Sequence, residues 1–185
     1  MNARDPTQHD PERPNEEPVR ELAARVRDRL DATDSSLAVA ETCTGGGVGA
    51  ALTAVPGAST YLDRVLVPYD YDALRTLTGV DRETLDRHGA VSGATTAELA
   101  KAARDTADVT WGVANTGVAG PGGGTSKTPV GTVIVGVAYA APWESRDSTT
   151  VVEQYHFDGD RQTVRERAIR QSLSDLLGAL EEETE

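Results

Sequence analysis

The feature that most constrains this chain is an apolar run, Leu37 to Ala40, that ends in Glu41-Thr42-Cys43-Thr44 and then Gly45-Gly46-Gly47. Small and β-branched residues in the run suit a strand buried on both faces, and the glycines let the backbone turn sharply beside a ligand. The turn from Thr44 to Gly47 then opens a helix, whose free N–H groups favour an anion or a developing oxyanion. A second apolar run leads into Thr116-Gly117-Val118-Ala119-Gly120-Pro121-Gly122-Gly123-Gly124-Thr125. Two glycine turns at strand ends point to a site rather than to two ordinary connections.

The chain in order supports that placement. Residues 1–17 carry Pro6, Pro11 and Pro14 among acidic and polar residues, a composition with too little apolar surface to order. The folded domain is expected over residues 18–180, followed by a frayed acidic end over 181–185. Val19, Leu22, Val26 and Leu30 recur at helical spacing. Strand 37–41 follows, then a short helix carrying Val48, Leu52 and Val55, stopped by Pro56-Gly57. Val65 to Tyr69 reads as the next strand, with Pro68 marking an edge or an early end. Helices are expected over 70–78, over 81–88 with Asp81 as cap, and from a Thr95 or Thr96 cap through Thr106. Strand 109–115 enters the second glycine loop, strands 131–139 and 149–157 form a hairpin, and a helix runs from Asp160 to Ala179. The pattern predicts a single-domain α/β fold, a three-layer α/β/α sandwich with a mostly parallel sheet and an antiparallel hairpin. Ligands of such sheets sit beyond the carboxyl ends of the strands, where both glycine loops fall.

Charge and composition narrow the partners. With 30 acidic and 18 basic residues the formal net charge is −12, which argues against nucleic acid as a partner. Lys101 and Lys127 are the only lysines and Phe157 the only phenylalanine. An acid-rich, lysine-poor surface suits a halophilic protein, because screening relieves its self-repulsion. The unfolding midpoint is therefore expected to rise from low to molar salt, and a flat profile would remove the inference. Cys43 is the single cysteine, so no internal disulfide forms. No apolar run approaches the roughly 20 residues that span a bilayer, and a cytoplasmic location without membrane contact is expected. A dinucleotide fingerprint fails because Ala50 stands where its third glycine belongs. Cys43 alternates away from Thr42 and reads as a core residue, and His88 before Gly89 reads as a helix cap.

Several motifs together resemble the CinA carboxy-terminal domain family, the stand-alone form of which is a nicotinamide-nucleotide amidase. They are Glu41-Thr42-Cys43-Thr44-Gly45-Gly46, Val55-Pro56-Gly57-Ala58-Ser59, Tyr69 with Leu77 and Gly79-Val80, and His88-Gly89-Ala90-Val91-Ser92. Thr116 to Thr125 with Pro129-Val130-Gly131-Thr132-Val133, and Phe157-Asp158-Gly159-Asp160-Arg161 with Arg165, complete the set, from about Leu22 to Leu177. The resemblance implies hydrolysis of the carboxamide of nicotinamide mononucleotide to nicotinic acid mononucleotide and ammonia, with no metal and no organic cofactor. It implies a serine nucleophile in the first turn and a lysine base one helix turn beyond a Y-S-N segment, the lysine activated by desolvation. This chain has Thr42 in place of the serine and Leu74 in place of the lysine, and Asp70-Tyr71 in place of the S-N.

By resemblance the catalytic positions are Thr42 and Tyr69. The substrate-binding set is Glu41, Thr44, Gly45 and Gly46 from the first turn, Thr116, Gly117, Gly120, Gly122, Gly123, Gly124 and Thr125 from the second, and Arg161. Arg161 and Arg165, one helical turn apart, can grip a phosphate or serve as solvated partners of nearby acids. Thr125, Ser126 and Lys127 offer a nest of amides. Two functions stay open: an amidase in which Asp70, Asp72, His88 or Lys127 replaces the base, and a degenerate relative that binds a nucleotide or similar anion as a sensor or interaction protein. A different reaction on the same scaffold is a third. A homodimer is expected from the exposed apolar hairpin.

Overall fold

A computed structural model describes residues 17–183. Helices α1 (Val19–Ala32), α2 (Gly47–Thr53), α3 (Tyr71–Thr78), α4 (Arg82–His88), α5 (Gly93–Ala107) and α6 (Arg161–Glu182) enclose strands β1 (Leu37–Glu41), β2 (Leu62–Leu66), β3 (Trp111–Gly117), β4 (Thr132–Tyr139) and β5 (Thr149–His156). The sheet order is β2-β1-β3-β4-β5. β1 pairs in parallel with β2 and β3, and β4 runs antiparallel to both β3 and β5, so four of the five strands point one way and β4 alone is reversed.

Alternation along the strands builds two unlike faces. Leu37, Val39, Trp111, Val113 and Val137 pack with Leu22, Val26 and Leu30 of α1, Val48 and Leu52 of α2, and Leu173 and Leu176 of α6. Their neighbours Ala38, Ala40, Ala114 and Ala138 face the other way, onto Leu74, Leu85, Leu99, Ala100 and Ala103. Large side chains hold one helical layer off at ordinary distance, and the small ones let α5 lie close to the backbone of the sheet. The result is the expected three-layer sandwich.

Several boundaries differ from expectation. β2 spans Leu62–Leu66 rather than residues 65–69, because Pro68 cannot extend a ladder and the pairing with β1 begins at Leu37↔Leu62. The cap of α5 is Ser92, whose side chain accepts the Thr95 N–H at 3.2 Å, while Thr95 and Thr96 lie buried inside the helix. Asp81 stands at the start of α4 but makes no side-chain cap bond; its own N–H donates to Glu98 of α5 at 3.0 Å. Glu181 and Glu182, expected in a frayed end, form the last turn of α6, and Glu181 accepts from Arg25 of α1 at 3.2 Å. The expected amino-terminal tail lies outside the described residues except for Glu17, which accepts from Arg25 at 2.8 Å. No helix among the described residues is long and apolar enough to cross a membrane.

Candidate functional site

β1 and β3 are adjacent and parallel, so their carboxyl ends, and the glycine turns that follow, share one edge of the sheet. The two turns touch. A Cβ on Gly117 would stand 3.0 Å from the Cys43 sulfur and 2.6 Å from the Thr132 carbonyl, so only glycine admits this approach. Helix α6 then ties both turns from outside. Its Arg161 donates to the Gly120 carbonyl at 2.9 Å, and Arg165, one turn on, donates to the Thr44 carbonyl at 2.6 Å. Arg161 also donates to the Tyr69 hydroxyl at 3.2 Å, which draws in the segment after β2. Thus Thr44, Gly120 and Tyr69, far apart in the chain, are all tied to the first turns of α6.

Beneath this edge lies a buried polar network. Glu41 is fully buried, and its carboxylate accepts N–H bonds from Val48 at 3.1 Å and Gly49 at 3.0 Å and the hydroxyl proton of Thr44. Asn115, register partner of Glu41, lies 3.0 Å from the Thr44 hydroxyl through its Oδ1 and donates to the Ser172 hydroxyl of α6 at 3.4 Å. Of the amides expected to face an anion from Thr44 to Gly47, those of Thr44 and Gly47 are taken by Asn115 Oδ1 and the Thr44 carbonyl, and the Glu41 carboxylate takes the next two, Val48 and Gly49. Among the described residues, the Gly45 and Gly46 amides keep no such partner. Both residues have positive φ, +59° and +93°, the left-handed turn that glycine makes at least cost.

The candidate nucleophile is bonded to the main chain. The Thr42 hydroxyl donates to the Asn115 main-chain carbonyl at 3.3 Å, and no titratable side chain among the described residues bonds to it. Leu74, at the position expected to carry the base, is 1% exposed in the apolar cluster with Ala38, Ala40 and Val80. The candidate replacement bases make no hydrogen bond to Thr42: Asp70 caps α3 through the Ala73 N–H at 2.7 Å, Asp72 lies 3.8 Å from Arg75, and His88 ends α4 beside Gly89. Lys127 is exposed in the second loop, where the Thr125 hydroxyl accepts the N–H groups of Lys127 and Thr128 at 3.2 and 3.0 Å. Thr125 is therefore spent on its own turn.

Thr116 also departs from its expected role. It is buried and shares a hydrogen bond of 2.8 Å with the Thr96 hydroxyl of α5, on the face of the sheet away from Asn115. Gly122, Gly123 and Gly124 are exposed along the outer part of the second loop. Cys43 lies in a small cluster with Ala119, Val133, Val164 and Ala168, and burial pushes its thiol up to about 11 despite the opposing pull of Arg161 and Arg165. At neutral pH it is a protonated core group. Asn115 was missed from the sequence, although a lone polar residue closing the apolar run Trp111–Ala114 was the available signal.

Open volume of about 560 Å³ lies along the first turns of α6, lined by Asp160, Arg161, Gln162, Arg165, Glu166 and Ile169. Each guanidinium has five N–H donors and spends one or two on the loops, which leaves donors for an incoming anion. Among the described residues no group of three His, Cys, Asp or Glu side chains is placed to hold a metal ion.

A three-layer α/β domain, with two glycine turns converging at the carboxyl edge of its parallel strands under a pair of arginines, is the class that fold and site define. The chain belongs to the CinA C-terminal domain family, whose family model matches residues 19–180. A CinA-like protein of Anaeromyxobacter sp. (strain K) is 44% identical over 160 residues, 86% of this chain and 38% of that protein. Another, from Cyanothece sp. (strain PCC 7425 / ATCC 29141), is 46% identical over 117 residues, 63% of this chain and 28% of that protein. The chain thus spans about a third of the length of these curated relatives. Among solved structures, the CinA superfamily protein of Klebsiella pneumoniae 700603 superposes with a TM-score of 0.83 at 31% identity, covering 90% of this chain and 99% of that one. The competence/damage inducible protein of Agrobacterium tumefaciens gives 0.80 at 35% identity, covering 88% and 95%.

Proposed function

We propose that this domain binds a phosphorylated small molecule, nicotinamide mononucleotide or a close relative by family resemblance, at the Arg161–Arg165 cleft, and does not hydrolyse it. One observation carries this: the Thr42 hydroxyl points its proton at a backbone carbonyl, and no titratable side chain among the described residues bonds to it. A serine or threonine hydroxyl is a weak nucleophile until an adjacent base takes its proton, and a positioned base is worth ~10²–10⁴ in rate. The buried Leu74 can neither take nor give a proton. The binding half of the older chemistry keeps its support, since two arginines and the free Gly45 and Gly46 amides line the same edge.

Titration with nicotinamide mononucleotide, run beside an assay for released ammonia, tests both halves. Saturable binding without ammonia is the expected result. Arg161→Ala and Arg165→Ala should each weaken binding by roughly tenfold or more, as charge-assisted bonds are worth ~1.5–3 kcal/mol. Ammonia release at an enzymatic rate would restore the amidase, with its base still to be found. Absence of binding by this compound and by other mononucleotides would remove the proposal.

A further inference from the structure

Helix α6 presents two side-by-side rows to the cleft at its amino end. Arg161, Arg165 and Ile169, spaced four residues apart, all turn to the glycine loops. The guanidiniums donate to the Gly120 and Thr44 carbonyls, and a Cβ added to Gly47 would stand 2.4 Å from Ile169 Cδ1. Gln162 and Glu166 form the next row, one residue on and about 100° round the helix, and they line the same open volume of about 560 Å³. Gln162 donates to Glu166 Oε1 at 2.8 Å, and among the described residues Glu166 forms no ion pair. Asp160, the other acid of the cleft, caps α6 through the Thr163 N–H at 2.8 Å.

We propose that Glu166 is a specificity-determining residue that accepts the hydroxyl protons of a vicinal diol, so that the cleft selects phosphate esters of a sugar whose diol is free. This rests on the reading that the ligand's phosphate sits on Arg161 and Arg165. A carboxylate accepts at about four lone-pair positions and donates nothing, and Gln162 takes only one of them. The charge of Glu166 lies beside the place of the phosphate, so it turns away a second phosphate or a carboxylate and accepts a neutral hydroxyl donor instead. The ribose of a mononucleotide carries such a hydroxyl pair on the same small molecule as the phosphate. In each row the two polar residues are about one 5.4 Å helix turn apart, a span that suits a monomer rather than a polymer.

Removing the carboxylate has opposite results for the two roles it can have. A merely solvated charge repels the phosphate, and its loss tightens every phosphorylated ligand, by less than about threefold at an exposed position in physiological salt. A carboxylate bonded to the diol loses charge-assisted hydrogen bonds, each worth roughly tenfold in affinity, and loses them only for ligands that carry the hydroxyls. Gln162 is a positioning residue: its bond holds the Glu166 side chain in place, so its loss blunts the preference for the diol without abolishing it.

Calorimetric titration of the whole chain with nicotinamide mononucleotide and with its 2′-deoxy form tests this. The parent should bind the ribo form roughly tenfold more tightly than the deoxy form. Glu166→Ala should bring that ratio close to one by weakening the ribo form the more. Gln162→Ala should lower the ratio part of the way, and Arg165→Ala should weaken both forms together and keep it. Thermal unfolding of the variants checks that the fold is retained. A parent that binds both forms equally, or a Glu166→Ala protein that keeps the ratio or tightens both forms alike, would overturn the inference and leave the arginine cleft standing. No binding of either form by the parent would instead remove the cleft as a phosphate site, and the inference with it.

Discussion

Gly112→Ala should leave the chain unable to fold at ordinary temperature. Gly112 lies in β3, at the centre of the five-stranded sheet, on the face that receives α5. A Cβ added there would stand 2.1 Å from the Ala100 carbonyl oxygen and 2.8 Å from both the Arg104 main-chain nitrogen and its Cβ. The first and second of these are backbone atoms in the middle of α5, so no rotamer change relieves the clash. Either the helix moves off the sheet and opens gaps around Leu99, Ala100 and Ala103, or the strand leaves its pairing. Overpacking of an adaptable core costs ~1–3 kcal/mol, and a rigid backbone clash of this size should exceed 4 kcal/mol. That ranges from about a third to most of a typical domain's ~5–15 kcal/mol. Gly122→Ala is the control, because its added Cβ meets nothing within 4 Å in the exposed second loop. Guanidinium unfolding should show the control within ~0.5 kcal/mol of the parent and Gly112→Ala expressed only as insoluble or unfolded chain. A Gly112→Ala protein with the parent's midpoint would mean that α5 does not lie where it has been described.

The same contact shows what could be read in advance. Strand β1 alternates Leu37 and Val39 with Ala38 and Ala40, and period-2 patterns of this sort are local, so strands, helix stripes and the layered fold were legible. The turn glycines were legible for the same reason, whereas the caps expected at Asp81 and at Thr95 or Thr96 were not. The misplaced features depend on partners distant in sequence. The start of β2 is set by its ladder with Leu37, and the Asp81 N–H goes to Glu98 on another helix. At the site, residue types announced a glycine-lined edge, and the convergence of the two turns followed from parallel pairing. How each polar side chain is spent did not follow. Thr116 turns to Thr96 because it sits one residue past Asn115 on an alternating strand, and that parity could be counted only once the strand's register against α5 was known. Glu41 stood in the ligand-binding set by family resemblance, and the strand carries its side chain inward.

Glu41→Ala should destabilise the domain by about 3–5 kcal/mol while revealing little about the ligand directly. The carboxylate is fully buried and holds the N–H groups of Val48 and Gly49 and the Thr44 hydroxyl. Truncation leaves those amides without acceptors inside the protein, at ~1–3 kcal/mol each, and adds a small cavity. Glu41→Gln keeps the volume but offers one acceptor oxygen and presents an amide N–H₂ to a second donor, so it should lose about 2 kcal/mol. The two variants separate a supporting role from a contact with bound nucleotide. If Glu41 shapes the turn from beneath, the chemically unfolded fraction accounts for the lost binding. Glu41→Gln, assayed where it remains folded, should then bind within about threefold of the parent. Arg165→Ala should behave in the opposite way, with its Thr44 carbonyl bond exchanged for water at the rim, a small loss of stability and a large loss of affinity. A Glu41→Gln protein with the parent's unfolding midpoint and tenfold weaker binding would reverse the assignment, and would require the turn to open so that the carboxylate reaches the cleft.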